Sequence, residues 1–152
     1  MEYIIVPLGT MIFLSGCAID YQPPSNEASY YSGPHKSNQK EVVARTKRAL
    51  VEEGFQILSS DDTAGVISTT AKRWKLEPWE ANCGKIMDLN YLLDPRTTTD
   101  VAFDIRVDAT TLTIHSSIQG KFKPSAVDES VPLTCVSNYG VLEQHLAAKI
   151  LE

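Results

Sequence analysis

The chain has 152 residues and a formal net charge of −5, with 43% hydrophobic and 22% charged residues. That size accommodates one domain with a single core and hardly two. The mildly acidic balance gives no electrostatic footprint for nucleic acid or an anionic lipid surface, so protein, glycan or small-ligand partners come first.

The first element is an apolar stretch, Ile4 to Leu14, which runs into Ser15, Gly16 and Cys17. It falls short of the about 20 residues a bilayer span needs, and Pro7 and Gly9 interrupt it, so it reads as a signal h-region rather than a transmembrane helix. Ser15 and Gly16 are small enough for a peptidase pocket that takes an extended backbone. The preceding Met1, Glu2 and Tyr3 lack the Lys or Arg usual in such a signal. The quartet Leu14, Ser15, Gly16, Cys17 resembles the lipobox of bacterial lipoproteins. The resemblance implies a diacylglyceryl group on the Cys17 thiol, removal of residues 1–16, and acylation of the new N-terminus by a further, palmitate-type chain. Each buried methylene contributes about 0.8 kcal/mol, so one chain binds only reversibly whereas two or three anchor stably. Ala18 stands where, in the same family, an Asp marks inner-membrane retention. The expected location is therefore the outer membrane, periplasmic face, with the inner membrane and a single-membrane cell surface left open. The alternative is an uncleaved N-terminal strand with a chance cysteine.

Residues 17–37 follow as the lipidated N-terminus and a linker. From Ala18 to Ser37 there are Pro23, Pro24 and Pro34, several Ser and Asn, and almost no aliphatic side chains, a composition that cannot offset ordering entropy. Such a spacer spans roughly 25 Å as a coil and would let the domain stand clear of the lipid. Tyr21, Tyr30 and Tyr31 are unusual in a pure spacer; they can dock on a partner or on the protein's own domain.

The folded domain is expected over 38–152. Asn38 can cap a helix, with Glu41 placed to complete a capping box. Val42, Val43, Thr46, Ala49 and Leu50 form its apolar stripe, and Gly54 ends it. Phe55 to Leu58 and Val66 to Lys72 read as a hairpin across a polar turn in which Asp61 and Asp62 are turn formers. The cleanest alternation comes next: Val101, Phe103, Ile105 and Val107, a turn at Ala109 and Thr110, then Leu112, Ile114, Ser116, Ile118, Gly120 and Phe122. Period-two patterning with one polar face predicts an antiparallel sheet covered on one side. Leu89 to Leu93 is expected to add a strand. A second helix over about 137–151 would set Tyr139, Leu142, Leu146 and Ile150 on one face.

The expected fold is α+β, an antiparallel sheet of about five strands with two helices packed on one face. The run Ala49, Leu50, Gly54, Phe55, Gln56, Ile57, Asp61, Asp62, Gly65, Val66, Ile67 resembles the helix-grip unit of a lipoprotein family in the β-barrel assembly machinery. There too a helix ends at a Gly-plus-apolar pair, a strand follows, and an Asp and Gly turn leads into the next strand.

With Cys17 assigned to lipid, Cys83 and Cys135 remain, and in an oxidising periplasm an even remainder reads as one disulfide. Free buried thiols are the alternative, as is a metal ligand or nucleophile. Chemistry is the least supported: there is no CxxC spacing, and His35, His115 and His145 sit in three unrelated elements. No metal site, cofactor or catalytic residue is expected, and the chain reads as no enzyme. Glu77 and Glu80 could suggest paired carboxylates, but such catalysis needs a defined cleft and a carboxyl with a raised pKa, and a short loop in a small domain offers little for either.

The most distinctive segment runs from Trp74 to Cys83 and holds both tryptophans, Trp74 and Trp79. Exposed on a stapled loop they would form a hot spot for a protein partner or a stacking surface for a sugar; turned inward they would plug the sheet. Asp104, Arg106, His115 and Gln119 mark a polar sheet face, more often solvated than binding. The expected function is that of a lipid-anchored, non-catalytic scaffold that binds another envelope protein of an assembly, secretion or transport machine. The alternative is a module recognising a glycan, peptidoglycan fragment or lipid through the Trp74 to Cys83 loop.

Overall fold

A computed structural model describes residues 21–26 and 30–152. The signal segment and the lipidation at Cys17 lie outside the described residues.

Helix α1 (Gln39–Glu52) carries the apolar stripe legible in the sequence: Val42, Val43, Thr46, Ala49 and Leu50 are its buried residues. Asn38 caps it, its side-chain oxygen accepting from the Glu41 N–H at 2.9 Å. Glu41 does not complete the box; its carboxylate pairs with Arg45 one turn on. At the other end the Phe55 N–H reaches Leu50 O and the Gly54 N–H reaches Val51 O, so the last carbonyls are closed off.

Among the described residues, eleven strands follow the chain: β1 (Tyr21–Gln22), β2 (Tyr30–Pro34), β3 (Ile57–Asp61), β4 (Val66–Thr69), β5 (Lys72–Arg73), β6 (Ala81–Asn82), β7 (Lys85–Ile86), β8 (Leu89–Asn90), β9 (Thr97–Val107), β10 (Thr111–Phe122) and β11 (Val131–Ser137). A second helix, α2 (Val141–Leu151), closes the order. The main sheet has eight strands, in the order β3, β4, β9, β10, β11, β6, with β5 continuing along β9 and β2 along β10. All described pairings are antiparallel.

The centre is the long hairpin of β9 and β10, paired in register from Leu112 with Val107 to Phe122 with Thr97. Directly opposed residues share a face, so Val101, Phe103, Ile105 and Val107 line up with Leu112, Ile114, Ser116 and Ile118. These residues, Ser116 apart, are buried, and together with the α1 stripe and Leu142, Leu146, Ala147 and Ile150 of α2 they form one core. Both helices thus cover the apolar face. The other face carries Asp104, Arg106, His115 and Gln119, all exposed.

The expected count of about five strands is too low, because β2, β5 and β6 are too short to show alternation. The largest difference lies in the stretch expected to be a spacer. Tyr30–Pro34 pairs with the Thr111 to His115 half of β10, and Tyr31 packs against the core. Its exit is fixed by His35, whose N–H donates to Thr110 O at 2.9 Å and whose ring nitrogens lie 2.9 Å from Ser37 O and Asp108 O. A Pro- and Ser-rich segment is ordered here because an existing strand edge supplies the hydrogen bonds that its own side chains cannot replace.

Two further differences concern turns. Leu89 to Leu93 is not one strand: Leu89–Asn90 is β8, and Tyr91–Leu93 is a single 3₁₀ turn capped by Asn90. With β1 and β7, β8 makes a separate three-stranded sheet. Tyr139 is not on the buried face of α2; it precedes the helix with φ 52° and is exposed.

The disulfide between Cys83 and Cys135 is present. It ties β11 to the segment just after β6, on the core side of the sheet. Room for it comes from Gly120: a Cβ there would stand 2.6 Å from Cys135 Sγ and 3.0 Å from Leu133 Cβ.

Candidate functional site

The Trp74 to Cys83 loop leaves the sheet at β5, and its two indoles part company at once. The Trp74 N–H donates to Thr99 O at 3.0 Å and the Thr99 hydroxyl donates back to Trp74 O, which continues the β5 pairing by one residue. Its ring is half-buried, 5.8 Å from the Phe55 ring, and the Lys72 ammonium lies 5.4 Å above it. Trp74 therefore serves the core, with a cation over it.

Trp79 is 65% exposed. It rides on a turn closed by the Glu80 N–H to Glu77 O at 2.9 Å, and the Glu80 carboxylate accepts from the Glu77 N–H at 2.8 Å. That bond gives Glu80 a part in holding the turn.

The same turn is held from the other side by Asn138. Its N–H donates to Glu80 O and its side-chain amide to Pro78 O, both at 2.8 Å. Asn138 also accepts from Asn26, which accepts in turn from Asn82. The next residue, Tyr139, is 88% exposed. Tyr139 and Gly140 both have positive φ, 52° and 70°, in a tight turn closed by the Val141 N–H to Asn138 O at 3.0 Å. A left-handed bulky residue is costly and calls for a reason. This backbone turn leaves the Tyr139 side chain in solvent instead of in the core.

Two large aromatic side chains thus project from adjoining turns whose backbones are directly bonded, with the disulfide and β6 immediately behind. Tyr and Trp supply contact area with few rotatable bonds, so fixed backbones make them inexpensive anchors for a partner. Sequence reasoning found Trp79 and missed Tyr139, which fell on a helical period. The signal was Asn138-Tyr139-Gly140, a turn sequence that ends the period.

A second missed residue is Glu143. It is fully buried on α2, and its carboxylate accepts from the Ser116 N–H at 3.1 Å, from the Ser116 hydroxyl, and from the Ser137 hydroxyl at 2.7 Å. Ser116 in an otherwise apolar inward series was the clue. The cluster, buried at Glu143 and Ser137 and partly buried at Ser116, bonds helix to sheet.

Beside the loop, the segments 73–77 and 92–99 enclose an open cleft of about 450 Å³ lined by Leu76, Leu92, Leu93 and Pro95, by Thr97 to Thr99, and by the charged Arg73, Lys75, Glu77 and Asp94. The Thr97 hydroxyl is buried with no hydrogen-bond partner among the described residues. On the polar sheet face the charges are used locally: Ser68 donates to Asp104, Arg106 pairs with Asp108, and His115 stacks on Tyr30 with ring centroids 5.0 Å apart. Among the described residues no group of three His, Cys, Asp or Glu could hold a metal ion, and no helix is long and apolar enough to cross a membrane. No protein-family model matches the chain, and no curated protein matches it.

Proposed function

We propose that this chain is a lipid-anchored envelope lipoprotein, modified at Cys17, whose folded domain is a non-catalytic docking module for another envelope protein. The location that goes with this reading is the outer membrane, periplasmic face. The observation that carries the docking role is the pair Trp79 and Tyr139, exposed on mutually bonded turns that the disulfide backs. The lipobox-like quartet supports the anchor. The disulfide fits the oxidising compartment that the anchor would imply.

Crosslinking in intact cells followed by capture of this protein tests the reading. A single envelope protein is expected to be enriched over an unrelated lipoprotein control, and the enrichment is expected to fall about tenfold or more in Trp79→Ala and Tyr139→Ala, as for hot-spot truncations. Equal recovery from wild type and both variants would contradict it.

The cleft favours a second reading, a module for a glycan, peptidoglycan fragment or lipid. It is of ligand size and mostly apolar in exposed lining. Unchanged tryptophan fluorescence on titration with cell-wall sugars and lipids would eliminate that reading, since Trp74 lies within the 73–77 segment that forms one wall and Trp79 two residues beyond it.

A further inference from the structure

Tyr21 follows Cys17 by only four positions. Because Tyr21 is already strand-paired, with Ile86 of β7, the tether from Cys17 to the fold is not a spacer of twenty residues. Four residues reach about 14 Å at full extension. A lipid on Cys17 would hold the sheet of β1, β7 and β8 against the membrane surface.

That sheet is attached firmly. The Tyr21 ring packs edge-on against Tyr91 at 5.8 Å, and its hydroxyl donates toward Cys83 O and Thr134 O, both at 3.4 Å. At Gly84 a Cβ would meet Gln22 O at 2.4 Å, so β1 lies as close as a glycine permits. The disulfide fixes the adjoining residue, Cys83.

The outer end of the sheet is apolar. Met87, Leu89 and Leu93 are 83%, 71% and 70% exposed within seven consecutive residues. Met87 and Asp88 form the two-residue turn between β7 and β8, with φ 47° and 62°. Asp takes that conformation more readily than Met, so the turn presents a thioether side chain at a position where Asn or Gly would fit with less strain. Water offers no gain for such a choice, whereas a lipid interface does.

We infer that the β7 to β8 hairpin tip, with Met87 and Leu89 inserted, is a membrane-docking surface that seats the domain directly on the bilayer to which Cys17 is anchored. This rests on the lipoprotein reading above. Asp88 sits in the turn between Met87 and Leu89, and Lys85 stands at the start of β7, so the tip carries no excess positive charge and the contact does not require anionic lipid.

The test uses the secreted, processed full protein in vesicles of phosphatidylcholine brominated on its acyl chains. Met87→Trp and, on a strand position free of backbone strain, Leu89→Trp each add one indole to the wild-type emission. With acylated protein that floats with the vesicles, the added emission is expected to be blue-shifted and quenched by the bromolipid. Acylated, floating protein whose added indole emits as in water and is unquenched in both variants overturns the docking surface and leaves the anchor standing. Protein without acyl mass that fails to float overturns the anchor, and the docking surface with it.

Discussion

The Glu143 carboxylate is enclosed between α2 and β10 and accepts from both Ser116 groups and from Ser137. An apolar side chain there would keep the packing and leave three donors without that acceptor. Glu143→Leu is therefore expected to lower stability by on the order of 2–3 kcal/mol in urea unfolding, with an unchanged m-value. Glu53 works at the surface. Lys149 pairs with its carboxylate, His145 lies 3.9 Å away, and the Lys72 ammonium takes the backbone oxygen of Glu53. The hydrogen bond from Lys149 holds the Glu53 carboxyl below its ordinary range against the opposing effect of burial, with further help from the charges of Lys149, His145 and Lys72. A lowered folded-state pKa contributes stability that is present above the unfolded value and is lost as pH falls through the folded one. Glu53→Gln should thus melt a few degrees below wild type at pH 7, and the two melting curves should converge in acid as wild-type Glu53 protonates. A melting-point difference independent of pH would contradict the ion-pair account.

At the scale of elements, legibility followed the length of the pattern. The α1 stripe and the β9 to β10 hairpin were readable because period and caps agreed over many residues. The short strands β2, β5 and β6 were not, since two to five residues beside a Pro or a polar run carry no period. Tertiary edges made them strands. The β7 to β8 hairpin was hidden for another reason: its turn is Met87-Asp88, without the Asn-Gly or Asp-Gly signature. In the candidate site, Trp79 could be read from composition, whereas the exposure of Tyr139 depends on a backbone turn that interrupts an apparent helical period. The disulfide fastens these pieces, joining residues 52 apart in the chain. In the chain-entropy account such a loop adds about 4 kcal/mol. The Cys83→Ser/Cys135→Ser double variant should lose stability of that order in denaturant titration. It should also raise amide exchange in the turns carrying Trp79 and Tyr139 more than in β9 and β10. Uniform exchange across both regions would argue against a stapled site.

For the whole molecule, the anchor proposed at Cys17 unites the other inferences. It would supply the compartment in which the disulfide persists, and it would bring the apolar tip of Met87 and Leu89 to a lipid surface. It would also confine Trp79 and Tyr139 to partners within reach of that membrane, which raises their effective concentration without any new contact. The most direct test is the intact mass of the mature protein purified from membranes of cells that make it, beside Cys17→Ser. The account predicts a chain beginning at Cys17 with the added mass of a diacylglyceryl group and an N-terminal acyl chain, and a Cys17→Ser protein that keeps residues 1–16 and gains no lipid. A wild-type mass equal to the unmodified chain, cleaved or not, would contradict it.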